Sequence, residues 1–106
     1  MKCQFTLTVT EGKRLIAKAI ASLPEVRNAL AEGLILLKGG TTVSALSEEL
    51  CGQPLRISGR VTPRGTVSSG AAEPVGAHSL LLRRGIPETG DGKLADIGRE
   101  MGPEDV

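Results

Sequence analysis

Residue types that could bind an anion are concentrated in one short segment, Gly39-Gly40-Thr41-Thr42. Glycine has no Cβ, so the backbone of such a turn can approach a ligand closely. Threonine hydroxyls can donate to an anionic oxygen, and the free N–H groups that begin a following helix favour phosphate or carboxylate. The segment therefore predicts a phosphate-binding loop. The alternative is that the glycines only make the turn and Thr41 only caps the helix, since the GxxxxGK[ST] pattern of a P-loop is absent.

A second group of candidate anion-binding residues is the arginine series Arg56, Arg60 and Arg64. Arg56 and Arg60 would share one face of an extended strand and could together attract an anion. Alternating arginines are also typical of the solvent-facing side of a strand. We favour this simpler interpretation.

The other reactive residue types form no recognisable catalytic or metal-binding pattern. His78 is the single histidine and has no Cys or His partner, so we predict no metal site and a structural or solvated role. Ser68 and Ser69 lie in no GxSxG pattern and are not predicted nucleophiles. Carboxylates near the end of the sequence are interpreted as a solvated helix face: Asp91, Asp96, Glu100, Glu104 and Asp105.

The composition is that of an ordinary globular chain. Thirteen Lys and Arg against twelve Asp and Glu give a formal net charge of +1, and Phe5 is the sole aromatic residue. The near-neutral charge gives little electrostatic attraction to nucleic acid, and a single aromatic residue offers little surface for base stacking, so both features disfavour nucleic-acid binding. Cys3 and Cys51 form no metal or disulfide pattern, so we expect free thiols. With no secretory signal and no long apolar run, we expect a cytoplasmic protein without a membrane span; no cofactor is predicted.

The N-terminal part is predicted to change from strand to helix. Residues 4–10 alternate between apolar and polar types, which predicts a half-buried strand. The following apolar residues recur with a helical period, which predicts that they face inward from a helix: Leu15, Ile16, Ala19, Ile20 and Leu23. Ser22 and Glu25 have the spacing of a capping box and predict a second helix, which Gly33 would end.

The central part carries the fold prediction. Residues 34–37 are four consecutive large aliphatics, which predict a central parallel strand buried on both faces. The glycine turn then leads to a helix whose inward residues would be Val43, Leu46 and Leu50. The order of strand, two helices, strand, turn and helix predicts an α/β fold, with a Rossmann-like open, mainly parallel sheet and flanking helices. We assign residues 1–106 to one such domain.

The last part of the chain is less regular. Residues 55–61 predict a strand or extended loop, residues 65–76 a Gly- and Ser-rich surface loop, and residues 77–83 another strand. Asp91 is the expected cap of a last helix. The inward residues of that helix would be Leu94, Ile97 and Met101.

The sequence also resembles a known family. The resemblance is carried by Lys13-Arg14-Leu15-Ile16-Ala17-Lys18-Ala19, by Leu34-Ile35-Leu36-Leu37, and by Gly39-Gly40-Thr41-Thr42 with its following helix. These segments look like sugar-phosphate isomerase and CoA-transferase-like domains, especially the effector domains of deoxyribose-operon-type repressors. The resemblance covers residues 12–50 and implies that the Gly-Gly-Thr-Thr turn lines a phosphate or carboxylate pocket. The chain is also similar to stand-alone prokaryotic proteins of unknown function.

The departures from that family limit what the resemblance implies. No DNA-binding helix-turn-helix precedes the domain, and the acidic, lysine and glutamate motifs of the enzymes are not recognisable. The leading hypothesis is a binding module for a small anionic, phosphorylated metabolite. The alternatives are an enzyme of the isomerase or CoA-transferase type, and an assembly domain without a ligand. Residues 102–106 look like a turn leading into a strand, so we also expect a sheet completed by a longer chain or by a homo-oligomer.

Overall fold

The protein has four helices and five strands in the part described by the computed structural model, residues 1–57, 59–68 and 76–106. The helices are α1 (Val9–Ala21), α2 (Pro24–Glu32), α3 (Thr41–Cys51) and α4 (Leu94–Glu100). The strands are β1 (Leu34–Lys38), β2 (Gly59–Thr62), β3 (Gly65–Ser68), β4 (Ser79–Arg83) and β5 (Ile86–Thr89). The strand order of the main sheet is β1-β4-β5, and β2 and β3 form a separate hairpin.

The prediction that residues 34–37 form a buried strand is confirmed. Ile35 and Leu37 of β1 point to one side of the sheet, where they join the larger core cluster. That cluster contains Val26, Ala29, Leu55, Leu80 and Leu82. Leu34 points to the opposite side and packs with Leu81 and Ile97. β1 and β4 therefore supply side chains to both faces, between α2 and α3 on one side and α4 on the other.

The predicted Rossmann-like, mainly parallel sheet is wrong. β1 and β4 are antiparallel, in a register that pairs Leu34 with Arg83 and Lys38 with Ser79. β4 and β5 are also antiparallel and are joined by the two-residue turn Arg84-Gly85. A run of apolar residues shows that a strand is buried on both faces, but it carries no information about the direction of the neighbouring strand. Here α4 covers the second face of an antiparallel sheet and produces the same pattern.

The predicted strand at residues 4–10 is also wrong. Residues 1–8 form neither helix nor strand, and α1 begins at Val9. Thr8 and Glu11 form a capping box: the Thr8 hydroxyl accepts from the Glu11 N–H, and the Glu11 carboxylate accepts from the Thr8 N–H. This cap satisfies donors that a helix start leaves open and makes residues 9 and 10 helical. Alternation alone cannot make a strand where no neighbour pairs with it.

The predicted inward face of α1 is correct for Ile20, which packs against the main core cluster, but wrong for Leu15 and Ile16. Ala17 is the buried residue of α1, whereas Leu15 is 58% and Ile16 48% exposed. α1 packs on α3 through ion pairs that join Arg14 and Lys18 to Glu48 and Glu49. These pairs lie along the flank of the helix that faces α3, and Leu15 and Ile16 lie on the exposed side.

α2 agrees with the sequence prediction in its core residues and in its end, but its start differs. Val26 and Ala29 are buried, and Gly33 ends the helix. The N-cap is Leu23, without a side-chain cap, so the predicted Ser22–Glu25 capping box is wrong. The Ser22 hydroxyl instead donates to the carbonyl oxygen of Ala19 at the end of α1.

The last third is more regular than predicted. β3 occupies the first four residues of the predicted loop, and residues 58 and 69–75 lie outside the described part of the chain. The strand predicted within residues 77–83 is confirmed as β4, and Ile97 of α4 is buried as predicted. Asp91 does not cap α4, whose N-cap is Lys93.

Residues 105 and 106 lie along the free edge of β1. The Val106 N–H donates to the Leu34 carbonyl and the Val106 carbonyl accepts from the Leu36 N–H, at 3.0 and 2.8 Å. Bonds to two residues that flank Ile35 are the pattern of a parallel bridge. The Asp105 carboxylate accepts from the N–H groups of Leu34 and Gly102, at 2.8 and 2.7 Å. This edge of the sheet is thus held by both backbone and side-chain bonds.

Candidate functional site

The Gly-Gly turn connects the end of β1 directly to the start of α3. The Gly39 N–H donates to the His78 carbonyl at 3.1 Å and so continues the β1–β4 ladder by one residue. A Cβ at Gly39 would only touch that carbonyl, at 3.7 Å. Gly40 is the N-cap of α3 and has a φ of +132°, where side chains are rarely tolerated. The backbone conformation therefore requires glycine at position 40, whereas Gly39 contributes the last hydrogen bond between the β1 and β4 segments.

The first turn of α3 presents backbone donors. The first helical hydrogen bond runs from the Ser44 N–H to the Gly40 carbonyl. Gly40 offers no side chain as a cap, and none of the described residues accepts from the N–H groups of Thr41, Thr42 and Val43. The first turn also contains no Asp or Glu. Three aligned donors and the positive end of the helix dipole therefore remain uncompensated by acidic side chains of that turn.

A lysine from α1 extends over this turn. The Lys13 ammonium donates to the Thr41 hydroxyl oxygen at 2.6 Å. No ion pair joins Lys13 to a carboxylate of the described residues. Thr41 accepts this bond with its oxygen, so its own hydroxyl proton is free to point elsewhere. The alternative in which Thr41 caps α3 is not observed, because Gly40 occupies the cap position.

The ion pairs between α1 and α3 hold Lys13 in this position. Arg14 donates to Glu48 at 2.7 Å, and Lys18 lies 3.3 Å from Glu49. Both carboxylates are in the later turns of α3, away from the Thr41 end. The positive charge of Lys13 is thereby left beside the helix N-terminus, where an anion would meet both.

Sequence reasoning did not assign Lys13 to the site. The resemblance included Lys13 only as part of a helical segment, and helical periodicity placed it on the outer surface. The 28-residue separation between Lys13 and Thr41 gives no local signal. Only the packing of α1 on α3 brings the two together.

A cluster of polar residues lies next to the turn, around His78. The His78 N–H donates to Asp91 at 3.1 Å and the Ser79 N–H donates to it at 2.9 Å. These bonds, the one from His78 foremost, lower the pKa of the Asp91 carboxyl. The His78 Nδ1 lies 2.9 Å from the Arg56 carbonyl oxygen, which can only accept. Nδ1 therefore carries a proton, and in the neutral ring Nε2 is an acceptor.

The cluster is structural in its main contacts. Asp91 ties the start of β4 to the end of β5 with both of its oxygens, and His78 joins that start to residue 56. The predicted structural role of His78 agrees with these bonds. The Arg56 Nε is buried without a hydrogen-bond partner among the described residues. The side chain of Arg60 lies outside the described part, so the predicted arginine strip cannot be placed as a whole.

The other candidate residues have ordinary partners. Glu100 pairs with Arg83, Asp96 with Arg99, and Asp105 with backbone N–H groups. Cys3 and Cys51 are free thiols, and the Cys51 thiol donates to the Ser47 carbonyl. Within the described ranges, no group of three or more His, Cys, Asp or Glu is arranged to hold a metal ion.

Comparison with known proteins gives no relative from which a function could be transferred. No protein-family model matches the chain, and neither the curated proteins nor the solved structures contain a significant match. Among the described residues, no helix is long and apolar enough to cross a membrane. The geometry of the turn is therefore the basis for inferring a function.

Proposed function

We propose that the protein binds a small anionic metabolite, with a phosphate or carboxylate group seated at the N-terminus of α3. The observation that carries the proposal is the placement of the Lys13 ammonium 2.6 Å from the Thr41 hydroxyl, beside three backbone N–H groups without described partners. A phosphate accepts several hydrogen bonds at once and carries the charge that this end of the helix favours.

Each element of the turn would have a defined role in this binding. The N–H groups of Thr41, Thr42 and Val43 would donate to the oxygens of the anion. Gly40 would let the backbone approach because it carries no side chain at a φ of +132°. Lys13 would supply the compensating charge, and the half-buried Thr42 hydroxyl would add one donor.

The experiment is a thermal unfolding titration with inorganic phosphate and with a set of sugar phosphates. A ligand at about 100 times its Kd stabilises the native state by about 2.7 kcal/mol. We therefore expect phosphate or a sugar phosphate to raise the Tm of the wild-type protein more than sodium chloride does at equal ionic strength. Lys13→Gln should remove most of the rise and Thr42→Val should reduce it.

The control is Arg84→Gln, which removes one positive charge at an exposed position in the β4–β5 turn, at the end of the sheet opposite to Gly39. It should keep the wild-type response to phosphate. If no phosphorylated or carboxylated compound shifts the wild-type Tm beyond the salt control, the turn is structural. Equal losses in Lys13→Gln and Arg84→Gln would show a general charge effect and contradict a specific site.

No observation favours a reaction at this turn. An enzyme would need an acid or base poised beside the anion. The carboxylate described beside His78 at this end of the sheet, that of Asp91, accepts backbone N–H groups with both oxygens. We therefore propose binding without catalysis.

A further inference from the structure

The outward face of α1 carries exposed apolar residues that the anion site does not use. Ala17 faces the interior, and Leu15 lies about 200° around the helix from it. Leu15 is 58% exposed, and it is flanked by two exposed residues outside the helix, Leu7 and Leu23. Clustered exposed aliphatics at one helix face are typical of a protein–protein contact.

This face has the form of a groove with charged borders. A groove of about 460 Å³ lies along α1, between Leu7 at one end and Lys18 at the other. Leu15 forms its apolar centre, Glu11 lies toward the N-terminal end, and Lys18 toward the C-terminal end. Arg14 also lines the groove and pairs with Glu48 of the same chain, so the lining contains one acid, Glu11, and two bases, Arg14 and Lys18.

We propose that α1 pairs in antiparallel orientation with α1 of a second copy of this chain, about a twofold axis near Leu15. Glu11 precedes Leu15 by four residues, about 6 Å along the axis, and Lys18 follows it by three, about 4.5 Å. When Leu15 meets Leu15 of the second copy, Glu11 of each chain comes opposite Lys18 of the other. Each copy contributes the same surface patch to the contact, as a twofold interface requires.

Two further exposed leucines lie outside α1, one before its start and one after its end. Leu7 lies eight residues before Leu15 and Leu23 eight residues after it, and they are 46% and 47% exposed. Gly12 and Ala19, small residues on this side, would let the two helices approach closely; a Cβ at Gly12 would meet nothing within 4 Å.

Charge complementarity selects a second copy over an unrelated partner. An apolar groove alone would accept many apolar surfaces, but this groove carries an acid about 6 Å before Leu15 and a base about 4.5 Å after it. An antiparallel copy of α1 supplies the opposite charge at both positions at once. This interface does not overlap the proposed anion site, because Lys13 lies on the α3 side of the helix.

The first experiment is sedimentation velocity over a range of protein concentrations. We expect the wild type to form a dimer and Leu15→Glu to be monomeric, with an unchanged circular dichroism spectrum because residue 15 is exposed. Ile86→Glu is the control, since Ile86 is an aliphatic residue 70% exposed on β5. This variant should remain dimeric. A monomeric wild type at all concentrations, or a dimeric Leu15→Glu, would overturn the proposal.

The second experiment tests the antiparallel register. Glu11→Lys and Lys18→Glu should each weaken dimerisation by about tenfold or more, and the double variant should restore it. Glu11 also contacts Thr8 and Lys18 also contacts Glu49 within the same chain. The double variant loses both of those contacts, so restoration could come only from across the interface. A double variant weaker than either single variant would contradict this register.

Discussion

The sheet and α1 contain similar aliphatic residues, but the leucines of β4 are buried and Leu15 of α1 is exposed. Leu81 and Leu82 of β4 are 1% and 0% exposed, whereas Leu15 of α1 is 58% exposed. β4 has a strand on each side and helices on both faces, while α1 has one buried residue, Ala17, and pairs with α3 through partly exposed charges. The comparison shows that residue type predicts a preference for burial, whereas the packing of neighbouring elements determines whether the side chain is buried.

The largest expected effect is the difference in stability loss between a substitution in the sheet and one in α1. Leu82→Ala should lower the free energy of unfolding by about 2–5 kcal/mol, because it leaves a cavity in the main core. Leu15→Ala should change it by less than about 0.5 kcal/mol in dilute solution, where the chain is monomeric. Urea unfolding followed by circular dichroism measures both. Similar losses for the two variants would mean that α1 is buried in solution and would contradict its outward orientation.

A smaller effect tests which capping sequence begins a helix. Thr8→Ala should destabilise the protein by about 1 kcal/mol, since it removes the hydroxyl that accepts from the Glu11 N–H. Ser22→Ala is the matched change in the other Ser/Thr-x-x-Glu segment, where no cap forms, and should stay within about 0.5 kcal/mol. Helical content and urea midpoints report the result. A greater loss of stability for Ser22→Ala than for Thr8→Ala would support the Ser22–Glu25 capping box predicted from the sequence.

The smallest effect concerns the acid side of the stability curve. The N–H groups of Gly102 and Leu34 lower the pKa of Asp105, and the Thr8 backbone and hydroxyl lower that of Glu11. A carboxyl with a lowered folded-state pKa stabilises the native state above its unfolded pKa. That stability is lost as the pH falls below about 4, through the folded pKa.

Asp105→Asn tests this acid dependence at the edge of β1. The variant should be less stable than wild type at pH 7, and the difference should shrink as the pH falls and the wild-type carboxyl becomes protonated. Glu11→Gln is the comparison in α1. Thermal unfolding between pH 7 and pH 2 measures both. A difference that stayed constant over this range would show that ionisation of Asp105 does not stabilise the native state.

Local sequence signals predicted several elements and the position of the turn. Four aliphatics in a row identified β1, and Gly33 marked the end of α2. Gly39 and Gly40 predicted the turn into α3, and Gly40 has the positive φ that explains a glycine. These features depend on residues close together in the chain, so the sequence contains them.

The capping box at Thr8 and Glu11 was also present in the sequence, but alternation of apolar residues concealed it. Two local signals conflicted over residues 8–10, one for a strand and one for a helix start. The cap prevails because it satisfies backbone donors within the segment itself, whereas a strand needs a partner from elsewhere. Giving priority to the self-contained signal would have placed the start of α1 correctly.

By itself the sequence determined which segments are apolar, where glycine breaks the chain, and the near-neutral charge that argues against polyanion binding. Only the tertiary structure decided the direction of β4 beside β1, the outward face of α1, and the meeting of Lys13 with Thr41. Each of these joins residues that are far apart in the chain. Hydrophobic periodicity records how much of a segment is buried, but not which partner buries it or in which direction that partner runs.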